Sequence, residues 1–141
     1  MALYMISDIA KSLTMKADEA ITAGMLVKTT SSEIDTLTDS LDDHLTCALC
    51  DGEGDDTLCI GIALTDIASG SYGAVAMQGV FRLIASGAIS AGKHVKAAPE
   101  GTYVTKVITL SAGDMEHKHI GRAVTAASAD SNEIVIVLNT A

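Results

Sequence analysis

The sequence has no tryptophan, one phenylalanine and three tyrosines among its 141 residues. With so few large rings, the core has to be assembled from small and branched aliphatic side chains. A single proline excludes a Pro-rich linker. No apolar run approaches the roughly 20 residues that a membrane-spanning helix requires, so no membrane partner is expected. Basic residues are scarce: 9 Lys and Arg stand against 18 Asp and Glu, a formal net charge of −9. The average field therefore repels a phosphate backbone, and no Lys or Arg occurs between Thr29 and Phe81. Basic residues interleaved with aromatics, the usual mark of a nucleic-acid surface, are missing too. The opening residues MALYMISDIAKSL have no basic start before an apolar run and no clear cleavage site, so export by a signal peptide is not expected. Three cysteines, an odd number in a chain read as unexported, are expected to be reduced thiols.

What is present favours strands. Alanine supplies 21 of the 68 hydrophobic residues, and Val, Ile and Thr together make 36 residues, whose β-branched members suit a pleated surface. At 14.5 kDa the chain fits one domain, long enough to fold without disulfides or metals. It also repeats itself. Ala20-Ile-Thr-Ala-Gly24-Met-Leu-Val-Lys28 returns as Ala88-Ile-Ser-Ala-Gly92-Lys-His-Val-Lys96, and Cys59-Ile-Gly-Ile-Ala-Leu-Thr65 returns as His119-Ile-Gly-Arg-Ala-Val-Thr125. The offsets are 68 and 60 residues, in the same order. Each half reads as turn, strand, variable loop, strand, turn and final strand, the final strands being Gly73 to Val80 and Glu133 to Asn139. Two similar β units around one core predict a pseudo-duplicated barrel or sandwich, since two copies are too few for a solenoid.

Val75, Met77, Phe81 and Leu83 alternate, with Gly79 where the strand can bend. Ile134 to Leu138 is a continuous apolar run, consistent with a strand covered on both faces, one by the domain and one by a partner subunit. Pro99-Glu100-Gly101 has turn chemistry, and Gly24 and Gly92 suit tight turns. Ser31 to Leu45 has no counterpart in the second half and reads as an acidic insertion, either a short helix or an ordered loop. Glu33 to Asp56 holds nine acids, half the total.

Four constellations invite chemistry. Gly87-Ala-Ile-Ser-Ala-Gly92-Lys93-His94 nearly matches a P-loop, but His94 stands where a magnesium-binding hydroxyl is required and a strand, not a helix, is expected next. It is read as a turn, like its copy at Gly24. His44, Cys47, Cys50 and Cys59 form a legitimate zinc set, yet in a strand Cys47 and Cys50 point to opposite faces, so packed core thiols are expected. Asp51-Gly-Glu53-Gly-Asp55-Asp56 is oxygen-rich but lacks the EF-hand glycine and glutamate, and reads as a solvated hairpin turn between Leu49 and Leu58. His117 and His119, beside Asp114 and Glu116, share a face without a fixed third ligand. Neither a nucleophile elbow nor a Ser-His-Asp order is present, so no catalytic, cofactor or metal residue is assigned.

The repeated Ile-x-Ala-Gly-x-x-Val-Lys turn, Ile60-Gly-Ile-Ala-Leu-Thr-Asp66, Val75-Ala-Met-Gln-Gly-Val-Phe81, and Ile120-Gly-Arg-Ala with Ile134 to Asn139 resemble the capsid cement, or head-decoration, proteins of bacteriophages and prophages. The resemblance runs from about Ser12 to the C-terminus; the acidic insertion and the clustered cysteines depart from its pattern. It implies an all-β, β-barrel-like fold, sometimes called a β-tulip, and a homotrimer on the capsid exterior after synthesis in the host cytoplasm. Its partner would be the major capsid protein, whose capsomers it would hold together, and it would be no enzyme and need no cofactor. Residues 1–11 are expected to form an arm that orders on binding, because Leu3, Tyr4, Met5, Ile6 and Ile9 would be wastefully exposed on a free tail. The other reading of that stretch is a first strand of the domain at 12–141. The competing function is a small SAF-like barrel that binds a ligand or assists an enzyme.

Overall fold

Nine β-strands and no helix account for the regular structure of the residues described by the computed structural model, which are 11–30, 45–51, 55, 58–98, 105–111 and 119–140. They are β1 (Lys11–Ala17), β2 (Leu26–Thr29), β3 (Thr46–Leu49), β4 (Cys59–Ala63), β5 (Tyr72–Ala85), β6 (His94–Ala97), β7 (Lys106–Thr109), β8 (His119–Ala123) and β9 (Glu133–Asn139). Hydrogen bonding runs in the order β1-β3-β2-β4-β5-β7-β6-β8-β9, and two further pairings, β1 with β5 and β5 with β9, close it. The sheet is thus two closed five-stranded circuits sharing β5. Closure gives each of the nine described strands a neighbour on both sides, which suits a sequence whose strands are rich in small aliphatics.

The second circuit repeats the first, ladder by ladder. β1 lies parallel to β3 with Lys16 opposite Thr46, and β5 lies parallel to β7 with Ile84 opposite Lys106, which are the same 68- and 60-residue shifts. A bulge interrupts the β2–β4 register between Val27 and Lys28, and another the β6–β8 register between Val95 and Lys96. The Gly24 amide donates to the Ala63 carbonyl and the Gly92 amide to the Ala123 carbonyl, each at 2.8 Å. Both glycines have positive φ, 92° and 85°, which is why each copy of the turn needs glycine. The duplicated all-β barrel expected from the sequence is the fold observed.

Each circuit encloses its own core. Met15, Ala17, Ile21, Val27, Cys47, Ala63, Ile67 and Val75 fill the first. Phe81, Leu83, Val95, Val107, Ile120, Ile134, Ile136 and Leu138 lead the second. Leu26, Ile62 and Ala76 sit opposite one another across β2, β4 and β5, one residue away from first-core members, and they pack into the second cluster. They therefore seal one circuit against the other. Burying such chains at about 25 cal/mol per Å² is what joins the two.

Two expectations need correction. The final strand of the first half does not end at Val80: β5 runs to Ala85 and serves as last strand of one unit and first of the next. β3 and β4 are not a hairpin, because β2 lies between them and pairs with both. In β9, Ile134, Ile136 and Leu138 are buried by the chain's own core, whereas Val137 is 43% exposed on the face expected to meet a partner subunit. Residues 1–10, most of the insertion 31–45 and the Pro99 turn lie outside the described residues, and β1 begins at Lys11.

Candidate functional site

The fold separates some of the chemistry-bearing residues singled out in the sequence and brings others together. Gly92 closes a turn and β6 follows it, so no helix N-terminus is available to hold a phosphate. Cys47 is in the first core and Cys50 in the second cluster, with Cys59 packed partly against the latter. Burial pushes the Cys47 thiol up to about 11, helped by Asp18. Cys50 is raised too, by its hydrogen bond with Cys59 and then by burial, and its Sγ lies 3.4 Å from the Asp55 carbonyl oxygen. Such protonated thiols are packing groups, not nucleophiles. His44, His117, Asp114 and Glu116 lie outside the described residues. Among the described residues, no group of three or more His, Cys, Asp or Glu could hold a metal ion.

The acidic loop turns one carboxylate inward, against the expectation of a wholly solvated turn. Asp55 is buried and accepts a hydrogen bond at 2.8 Å from Lys28 Nζ. That bond raises the Lys28 pKa above its ordinary 10.5, with burial opposing it. A buried carboxylate requires such a partner, which the sequence concealed because Lys28 and Asp55 are far apart along the chain.

The most chemically distinct surface lies on the second circuit. Arg122 Nη2 donates to His94 Nε2 at 3.0 Å, and the rings of His94 and His119 meet edge to face with centroids 4.5 Å apart. His119 Nε2 is buried with no hydrogen-bond partner among the described residues. Burial and then the neighbouring His94 hold the His119 pKa below its ordinary 6.5. These residues border a concavity of about 360 Å³ whose other walls include Val124, Val137 and Asn139. Register explains the convergence, since His94 faces Arg122 across β6–β8 and Arg122 faces Val137 across β8–β9. Of this set the sequence reading had His94 and His119, in separate constellations, and missed Arg122. The repeat offers a signal: shifts of 68, 60 and 61 residues put His94, His119, Arg122 and Val137 at the places of Leu26, Cys59, Ile62 and Ala76. A broader concavity of about 730 Å³ is bordered by small residues such as Ala88, Ala91, Ala127 and Ser128, with Glu133 its one charged side chain.

Formal charge divides unevenly between the two halves of the sequence. Residues 1–81 carry 13 acidic and 3 basic side chains, a formal −10, whereas residues 82–141 carry 5 and 6, a formal +1.

A family model described as phage cement protein matches residues 7–138. No curated protein matches the chain. Among solved structures, the head fiber gp8.5 N base of bacteriophage phi29 is similar in fold, with a TM-score of 0.56 over 94% of this chain and 97% of that one at 17% identity.

Proposed function

Since the chain belongs to the phage cement protein family, a structural family associated with the phage capsid and the virion, we propose that it decorates the outer surface of the head and holds major capsid protein capsomers together. The observation that carries this reading is the extent of the match, residues 7–138, which takes in both circuits and every strand but for the last residue of β9. Decoration requires a stiff body and many weak contacts acting together, not a reaction. The doubly closed sheet supplies the stiffness. A homotrimer would multiply each contact by three and raise the effective concentration of every arm once the first has docked.

The arm, with Leu3, Tyr4, Met5, Ile6 and Ile9 as its apolar anchors, is proposed to order against the major capsid protein by adding a strand to an exposed sheet edge. The body contributes its own face, and the acid-rich half keeps free copies apart before assembly. Deleting residues 2–9 is expected to leave the circular dichroism spectrum and melting temperature unchanged while abolishing co-sedimentation with expanded heads. Equal occupancy by the truncated and complete chains would refute the arm. Failure of the complete chain to co-sediment at all would refute decoration.

A further inference from the structure

The two copies of the glycine turn share a set of hydrogen bonds that differs at one point. Ile21 and Ile67 exchange a pair of backbone bonds, as do Ile89 and Ala127. The Met25 amide donates to the Thr22 carbonyl, and the Lys93 amide to the Ser90 carbonyl. In the first copy, however, the Ala23 amide also donates to Asp66 Oδ1 at 2.8 Å. The 68- and 60-residue shifts put Ala91 and Ala126 at those places. The second copy therefore has no carboxylate there, and the Ala91 amide has no partner among the described residues. The concavity of about 730 Å³ opens at this point, with Ser90, Ala91, Ala126 and Ser128 exposed along it. Charge changes in the same sense. Lys93, exposed and without an ion pair among the described residues, stands where the first copy has Met25. Glu133, at the rim, is offset by Arg82 at 3.6 Å. One copy of the turn carries its own acceptor, whereas the other lacks it and carries a cation.

We propose that the open turn at Ser90, Ala91 and Ala126 receives an acidic side chain of the major capsid protein. Its carboxylate would accept from the Ala91 amide, as Asp66 accepts from Ala23 in the other copy. Ser128 Oγ accepts from Asn132 Nδ2 at 3.0 Å and keeps its own proton to donate to the guest. The Lys93 ammonium, two residues beyond Ala91, supplies the opposite charge. Alanines at 88, 126 and 127 leave room for the backbone of an incoming loop. The inference rests on the decoration reading, and it adds which face of the body meets the shell and what chemistry the shell has to offer.

Co-sedimentation of the complete chain with expanded heads, at subsaturating protein, tests it through variants that give the second copy the acceptor of the first. Ala126→Asp fills the place of the guest carboxylate from within, and Ala126→Asn does so without the charge. Both are expected to keep the wild-type circular dichroism spectrum and to bind heads at least about tenfold more weakly. Ala129→Asp adds the same charge at an exposed position nearby and is expected to bind as the wild type does. Undiminished binding by both Ala126 variants would overturn the proposal and leave decoration standing. An equal loss in Ala126→Asp and Ala129→Asp, with Ala126→Asn unaffected, would reduce the effect to charge repulsion and overturn it too. So would a change in the free chain's sedimentation coefficient in Ala126→Asn with head occupancy intact, which would assign the carboxylate to another copy. A wild type that fails to bind heads at all would refute decoration itself, and this site with it.

Discussion

Gly61 and Gly121 are the same residue in two copies of one unit, and backbone crowding fixes both. A methyl built on Gly61 would fall inside contact distance of the Ala76 carbonyl oxygen, and one built on Gly121 inside that of the Val137 carbonyl oxygen. These carbonyls belong to the strands paired with β4 and β8, so they cannot yield without breaking the ladder. Gly61→Ala and Gly121→Ala are each expected to lower stability by about 3 kcal/mol, read as a reduced urea midpoint at an unchanged m-value. A similar loss in the two variants would also show that both circuits contribute alike. The Ile-Gly-x-Ala signature was legible in the sequence for this reason: a residue demanded by close backbone approach stands unchanged in both copies. Lys28 and Asp55 were not legible as a pair, because they lie 27 residues apart and the second unit, with Lys96 and Met115 at the matching positions, does not repeat the pairing.

Among the elements, β5 carries the most consequence. Its first half pairs with β1 and β4, its second with β7 and β9. Phe81, the chain's single phenylalanine, is fully buried within it, in the cluster that also contains Leu26, Ile62 and Ala76. Phe81→Ala is expected to cost about 4 kcal/mol, measured by denaturant unfolding. Alternation at Val75, Phe81 and Leu83 revealed the strand, but its length and double use did not show. Apolar periodicity says which face of a strand is buried and is silent about which neighbours it pairs with. The same limit explains the mistaken β3–β4 hairpin. It explains too why Arg122 was missed, since its meeting with His94 depends on the register beyond a bulge.

At the level of the molecule, the shared strand and the sealing row of Leu26, Ile62 and Ala76 tie the two circuits into one cooperative unit. Calorimetry is expected to show a single transition with equal calorimetric and van't Hoff enthalpies, despite the duplicated architecture. Two resolved peaks would mean that the cores melt independently.

Because Tyr72–Ala85 is a stave of both rings at once, the polypeptide offers no place to be cut into two self-sufficient pieces. Whichever fragment keeps that stretch leaves the other one wall short. The pair of units is consequently bound to persist, vary and be inherited as a single indivisible body, however plainly each still mirrors its twin.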